Sequence, residues 1–250
     1  MTPNELIDII RSEYLDEFLD DATSKFVAES AVKNKTPFLL REIGTAQRRA
    51  CWRGDMRRIF DDSTAAICTI TLVADTQSYA LDNRILLIDT AVYEDALLNF
   101  TTRPMLDSLR CGWREYSAGA PNNFYVQGRK LILDRAPSTA EADQTITLSV
   151  YREPLANPEL TTTLEVDLDP EALANWVAYR AFMRPNQDKA RNDLAKIHLD
   201  AFDAYYGAEV PKPARDEMLS CPPTVYFGPQ YPARAHVGAA RSFEYISGDD

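Results

Sequence analysis

The apolar residues of this chain change their period twice, and that order limits the folds open to it. Before about residue 62 they recur at helical spacing. From Ala65 to Tyr151 they run in alternating or continuous β-branched stretches, and from Asp169 the helical spacing returns. Two helices before a sheet and two after it share a core only if the chain comes back to where it started. The expectation is an α+β protein in which residues 1–62 and 168–207 make a four-helix bundle and residues 63–167 form an antiparallel β domain inserted into it. Residues 208–250 are left over as an extended C-terminal arm.

The helical stretches carry their own punctuation. Asn4 reads as the N-cap of a helix over 4–19, with Leu6, Ile9, Ile10, Tyr14 and Phe18 on one face and Asp8, Arg11, Glu13 and Asp16 on the other. A polar link, 20–35, leads to Thr36-Pro37, a cap followed by proline at the first helical position. The helix it opens is expected over 37–60, burying Leu40, Ile43, Ala46, Ala50, Met56 and Ile59, with Gly54 as its weak point. Asp169-Pro170 repeats the cap signal ahead of Leu173, Trp176, Val177, Tyr179 and Arg180, and Pro185 ends that helix. The last helix, 186–206, sets Leu194, Ile197, Ala201, Phe202 and Tyr205 on one stripe and closes at Gly207. Between them lie strands over 66–73, 85–93, 97–102 and 145–151 and a hairpin over 124–133 around Gly128, roughly six in all.

At 250 residues with 45% hydrophobic and 26% charged side chains, the chain has enough apolar material for a real core. Its net charge of −11 opposes tight binding to a phosphate backbone, though it suits a wall past which DNA slides. Cys51, Cys68, Cys111 and Cys221 are far apart and near neither histidine, so unpaired thiols are expected rather than zinc or disulfides. The opening Met1-Thr-Pro-Asn-Glu has no basic and apolar signal, and no apolar run is long enough for a bilayer. No membrane, metal or cofactor is expected.

Nothing in the chain has the spacing of a catalytic motif. His198 sits beside Asp200 on a helix without a nucleophile, and reads as a surface or packing residue. Asp61-Asp62 and Asp249-Asp250 are adjacent carboxylates, which point apart on a regular element. Trp52, Trp113 and Trp176 read as core or interface anchors. The basic concentration is Arg48, Arg49, Arg53, Arg57 and Arg58, of which Arg49, Arg53 and Arg57 are four apart and would share one helix face. That face has two readings: a channel or inter-subunit basic surface, or a solvated face pairing with Asp16, Asp20 and Asp21.

The arm is the other candidate. Six of the fifteen prolines fall within 208–250, and its aromatics, Tyr226, Phe227, Tyr231, Phe243 and Tyr245, stand apart between breakers. Such a segment cannot close a core of its own, so it is either disordered or shaped by another molecule.

Several segments together carry a resemblance. The opening Leu6-Ile-Asp-Ile-Ile-Arg, the strand Ser78-Tyr-Ala-Leu81 followed by Ile85-Leu-Leu-Ile88, the stretch from Gly119-Ala-Pro121 through Phe124-Tyr125 to Leu133-Asp-Arg-Ala-Pro137, and Leu148-Ser-Val-Tyr151-Arg-Glu-Pro154 resemble phage head-to-tail adaptor proteins of short-tailed phages, the tail tubular protein A type. The resemblance spans about residues 4–207 and departs at Leu81-Asp82, where family members often have Leu-Pro. It implies a structural virion protein made in the host cytoplasm and placed at the head-tail junction. Its partners would be the portal protein, a tail nozzle or tail-tube protein, and further copies in a dodecameric ring. DNA would pass through without sequence-specific binding, and the arm would hold the portal. Two other classes stay open: a tail-associated cell-wall-degrading enzyme, which needs two carboxylates across a cleft, and a receptor-binding module built on the β domain.

Overall fold

In the computed structural model, residues 1–14, 36–54, 56–109, 112–115, 117–166, 170–183 and 189–221 are described, and they form seven helices and nine strands. The helices are α1 (Pro3–Ile9), α2 (Thr36–Cys51), α3 (Ala65–Cys68), α4 (Arg103–Leu109), α5 (Pro170–Phe182), α6 (Lys189–Tyr206) and α7 (Lys212–Leu219). The strands are β1 (Phe60–Asp61), β2 (Thr69–Thr71), β3 (Ser78–Ala80), β4 (Ile85–Tyr93), β5 (Ala96–Leu97), β6 (Asn99–Phe100), β7 (Asn123–Gln127), β8 (Lys130–Leu133) and β9 (Thr145–Arg152).

The strands make two sheets. One runs β1-β9-β4-β5, with β2 also on β9; the other runs β3-β8-β7-β6. Every pairing is antiparallel except β6 with β7. β9 shows why alternation was readable: Ile146, Leu148 and Val150 are fully buried, while Thr145 and Thr147 are exposed. These side chains meet Phe124, Val126, Leu131 and Leu133 of the second sheet in one shared core. The hairpin between β7 and β8 turns at Gly128 and Arg129, whose φ values of 55° and 58° are those of a tight two-residue turn.

β4 does not alternate, and its register explains why. Against β9 it slips one place between Ile85 and Leu87 and again between Ile88 and Thr90. Each slip is a bulge that rephases the strand. Ile85, Ile88, Ala91 and Tyr93 therefore all reach the sandwich core, whereas Leu86 turns the other way into the helical core.

That second core joins α1, α2, α5, α6 and α7 through Leu6, Ile7, Leu39, Ile43, Ala50, Leu173, Val177, Phe202, Tyr206, Ala214 and Met218. It is not the four-helix bundle that the period predicted, and no such bundle is evident among the described residues. The first helix is capped by Thr2 and not Asn4, through a capping box with Glu5, and passes at Ile10 into a π-helical turn ending at Tyr14. The second ends at Cys51, short of the expected Phe60. Gly54 takes φ +65°, and a Cβ there would lie 2.9 Å from the Tyr206 carbonyl oxygen, so the chain must leave the helix to let another segment pass. The link 20–35, Asp169 and Pro185 lie outside the described residues.

The remaining corrections are local. The strand expected over 66–73 begins as the helical turn α3, and the one expected over 97–102 is split between β5 and β6, which belong to different sheets. The first part of the expected arm is folded: after Gly207 the chain lies against Trp52–Gly54, with Val210 N–H donating to the Trp52 carbonyl at 2.9 Å, and then forms α7. Ala214 and Met218 of α7 enter the helical core and Leu219 enters the sandwich core. Residues 208–221 are thus a strap across both cores.

Candidate interaction site

The arginine face expected at Arg49, Arg53 and Arg57 is broken up by the early end of α2. Arg53 is turned inward and is 3% exposed. It is ion-paired to Asp203, donates to the Gly207 carbonyl at 3.2 Å, and stacks 5.0 Å from the centre of the Phe202 ring. Burial lowers its pKa while Asp203 and Glu209 oppose the shift, and a guanidinium so placed stays charged. Arg49 pairs with Glu209 and lies 4.9 Å from the Trp52 ring. Arg58 donates to the Tyr206 carbonyl at 3.3 Å, and Arg215 lies 4.2 Å from the Trp52 ring. Arg57 alone of the three stays exposed, 5.7 Å from the ring of Tyr151.

These contacts make a clasp. Four guanidinium groups and the rings of Trp52, Phe202 and Tyr206 tie the end of α2 to the end of α6 and to the strap. A desolvated guanidinium over an aromatic face is worth about 2 kcal/mol, which applies to the buried Arg53, while the half-buried Arg49, Arg58 and Arg215 contribute about 0.5–1 kcal/mol each. Its carboxylates come from Asp203 and Glu209, while the Asp16, Asp20 and Asp21 considered from sequence lie outside the described residues.

A second knot joins the sandwich edge to the helical layer. Arg152 at the end of β9 pairs with Asp61 of β1 and with Glu165. Gln47 of α2 accepts from the backbone N–H groups of Glu165 and Val166 at 3.1 and 3.3 Å. Burial would raise the Asp61 carboxyl, but hydrogen bonds from Thr64, Arg152 and Ser63 outweigh it and hold it well below the usual carboxylate range. Its neighbour Asp62 is exposed. Cys51 and Cys68 are pushed up to about 12 and about 11, chiefly by burial, and are free thiols, as is Cys221; Cys111 lies outside the described residues.

Among the described residues, no group of three or more His, Cys, Asp or Glu side chains is placed to hold a metal, and no helix is long and apolar enough to cross a membrane. A cleft of about 220 Å³ lies between α2 and the loop after β9, with Arg48, Arg84, Glu153 and Asn157 on its walls. It is smaller than the roughly 300–1,000 Å³ usual for ligand pockets, and Arg84 is already locked to Asp82. His198 stacks on Phe182 with ring centres 5.6 Å apart, and its Nδ1 lies 2.8 Å from the Asn175 Oδ1. Trp113 and Trp176 are buried and Trp52 half-buried.

The stripe expected on the last helix is mostly not the one that α6 buries. Ala195, Phe202 and Tyr206 face the core, but Leu194, Ile197, Ala201 and Tyr205 face outward and are exposed. Both sets keep helical spacing, so the sequence carries two stripes and only contact with α5 decides which is covered. Tyr226, Phe227, Tyr231, Phe243, Tyr245 and His236 lie outside the described residues.

A family model described as SU10 adaptor protein matches residues 1–225, which takes in both cores and the strap and stops just before Tyr226. The chain belongs to this family of phage adaptor proteins and is a structural protein of the virion. No curated protein matches it.

Proposed function

We propose that this chain is a head-to-tail adaptor, a ring subunit that joins the portal to the tail and extends the DNA channel. The match over residues 1–225 carries this reading, because it spans the whole described fold. The portal protein lies on one side, a tail nozzle or tail-tube protein on the other, and further copies close a dodecameric ring. A net charge of −11 suits a lumen that lets DNA pass without gripping its phosphates. Arg49 and Arg53 serve the clasp, and Arg57, exposed beside the Tyr151 ring, faces the channel or a neighbouring subunit. The rings of Tyr226, Phe227, Tyr231, Phe243 and Tyr245 dock on the portal, pocket by pocket. The protein performs no reaction; it positions other proteins. Mixing the purified chain with portal rings and viewing the product by electron microscopy tests this: a stoichiometric ring on the portal is expected, and portal rings that stay bare overturn the reading.

A further inference from the structure

We propose that the outward stripe of α6 is the seat of the chain's own terminal segment, residues 241–245, in the protein that has not yet met a partner. Leu194 and Ile197 are 39% and 61% exposed and Tyr205 is 48% exposed, an apolar strip that spans about 16 Å along the helix. Asp193 and Asp200, one heptad apart and both exposed, run beside it. The occupant is chosen by charge and period. In a chain of net charge −11, the stretch 226–245 carries Arg234 and Arg241 against Glu244 alone. Arg241, Phe243 and Tyr245 stand two apart, so in an extended chain all three project to one side, two rings toward the strip and one guanidinium toward its acidic edge.

Reach and concentration favour the same molecule. Nineteen residues lie between Cys221 and Arg241, a stretch that reaches up to roughly 65 Å, more than twice the ~27 Å length of α6. A tethered segment is present at its site at an effective concentration in the millimolar range, far above that of a second copy in dilute solution. The contact is small, so a larger portal interface displaces it. It is independent of the portal reading, since it concerns the isolated chain.

Chymotrypsin cleavage after Phe243 and Tyr245 in the full-length protein reads this contact, because cleavage follows the population of the released arm. Ile197→Asp, on an exposed position, is expected to speed cleavage about tenfold, and Arg241→Asp to do the same. Combining Arg241→Asp with Asp193→Arg and Asp200→Arg restores protection. Equal cleavage of the wild type and both single variants overturns the proposal. So does protection that fades on dilution, which would assign the seat to another copy.

Discussion

The β sandwich and the helical layer are both closed by apolar side chains, but they keep their charges in different places. Away from its seam with the helical layer, the sandwich buries Thr101 and Asp134 as its polar groups among the described residues, the latter satisfied locally by Asn122 and Asn123. In the helical layer and along its seam with the sandwich, Glu42, Gln47, Arg53, Asp61 and Arg152 are all buried, and each has at least one partner distant in sequence. The sandwich is therefore specified strand by strand, whereas the layer depends on pairs that form only once the chain has returned. The strap belongs to both, and cutting it should have the largest effect. Ending the chain after Gly207 removes Val210, Ala214, Met218 and Leu219 from the two cores. Losing a buried side chain of the size of Met218 or Leu219 costs about 2–5 kcal/mol, so losing these two with Val210 comes close to the ~5–15 kcal/mol of a typical domain. That truncation should lack a cooperative melt by circular dichroism, while a chain ending at Cys221 melts like the full-length protein. Equal melting of the two truncations would mean that the strap is an accessory.

A smaller test separates the regions by pH. Asp61→Ala takes from Arg152, which is 8% exposed, one of its two carboxylate partners and removes the caps on Ser63 and Thr64, a loss of about 3 kcal/mol at neutral pH. Because the folded protein holds the Asp61 pKa below its unfolded value, this stability is complete above about pH 4 and is lost as the pH falls through the folded pKa. Urea titrations should thus show wild type and Asp61→Ala drawing together toward pH 2. Leu148→Ala in the sandwich should cost about 2–5 kcal/mol at either pH, since nothing at that site titrates. A pH-independent gap for Asp61→Ala would deny the carboxylate its part in the seam.

The same contrast explains what could be read in advance. β9 and the β7–β8 hairpin were legible because alternation and a glycine turn are local signals. The course of β4 was not, since its two bulges are set by β9, about sixty residues downstream. The end of α2 was half legible: Gly54 was visible as a weak point, but the chain segment passing at Tyr206–Ala208 that requires it was not. The arginines at 49, 53 and 57 share a helical spacing, yet the helix stops at Cys51, so their period no longer describes their positions. The strap was hidden by Pro211 and Pro213, which look like breakers and instead open α7 at its first turn. The adaptor class was legible through segments spread over the whole fold, while the tail tubular protein A subtype was a finer reading than the family match supports.

The least disruptive test sits inside the helical layer, at His198. Its ring is parallel to Phe182 within 9° and half-buried between α5 and α6, and burial lowers its pKa. The unfolded chain then binds a proton at a higher pH than the folded one, so the stability tied to this residue is complete above about pH 6.5 and declines as the pH falls through the folded value. One pKa unit corresponds to about 1.36 kcal/mol, which sets the scale of the slope. His198→Phe retains a stacked ring and removes the titration. Its stability at pH 7.5 should stay within about 1 kcal/mol of the wild type. Between pH 7.5 and 5 its urea midpoint should fall less than that of the wild type, and because His236 is present in both proteins the difference isolates position 198. Parallel pH profiles would mean that the ring takes up its proton without strain, beside Phe182 and Asn175.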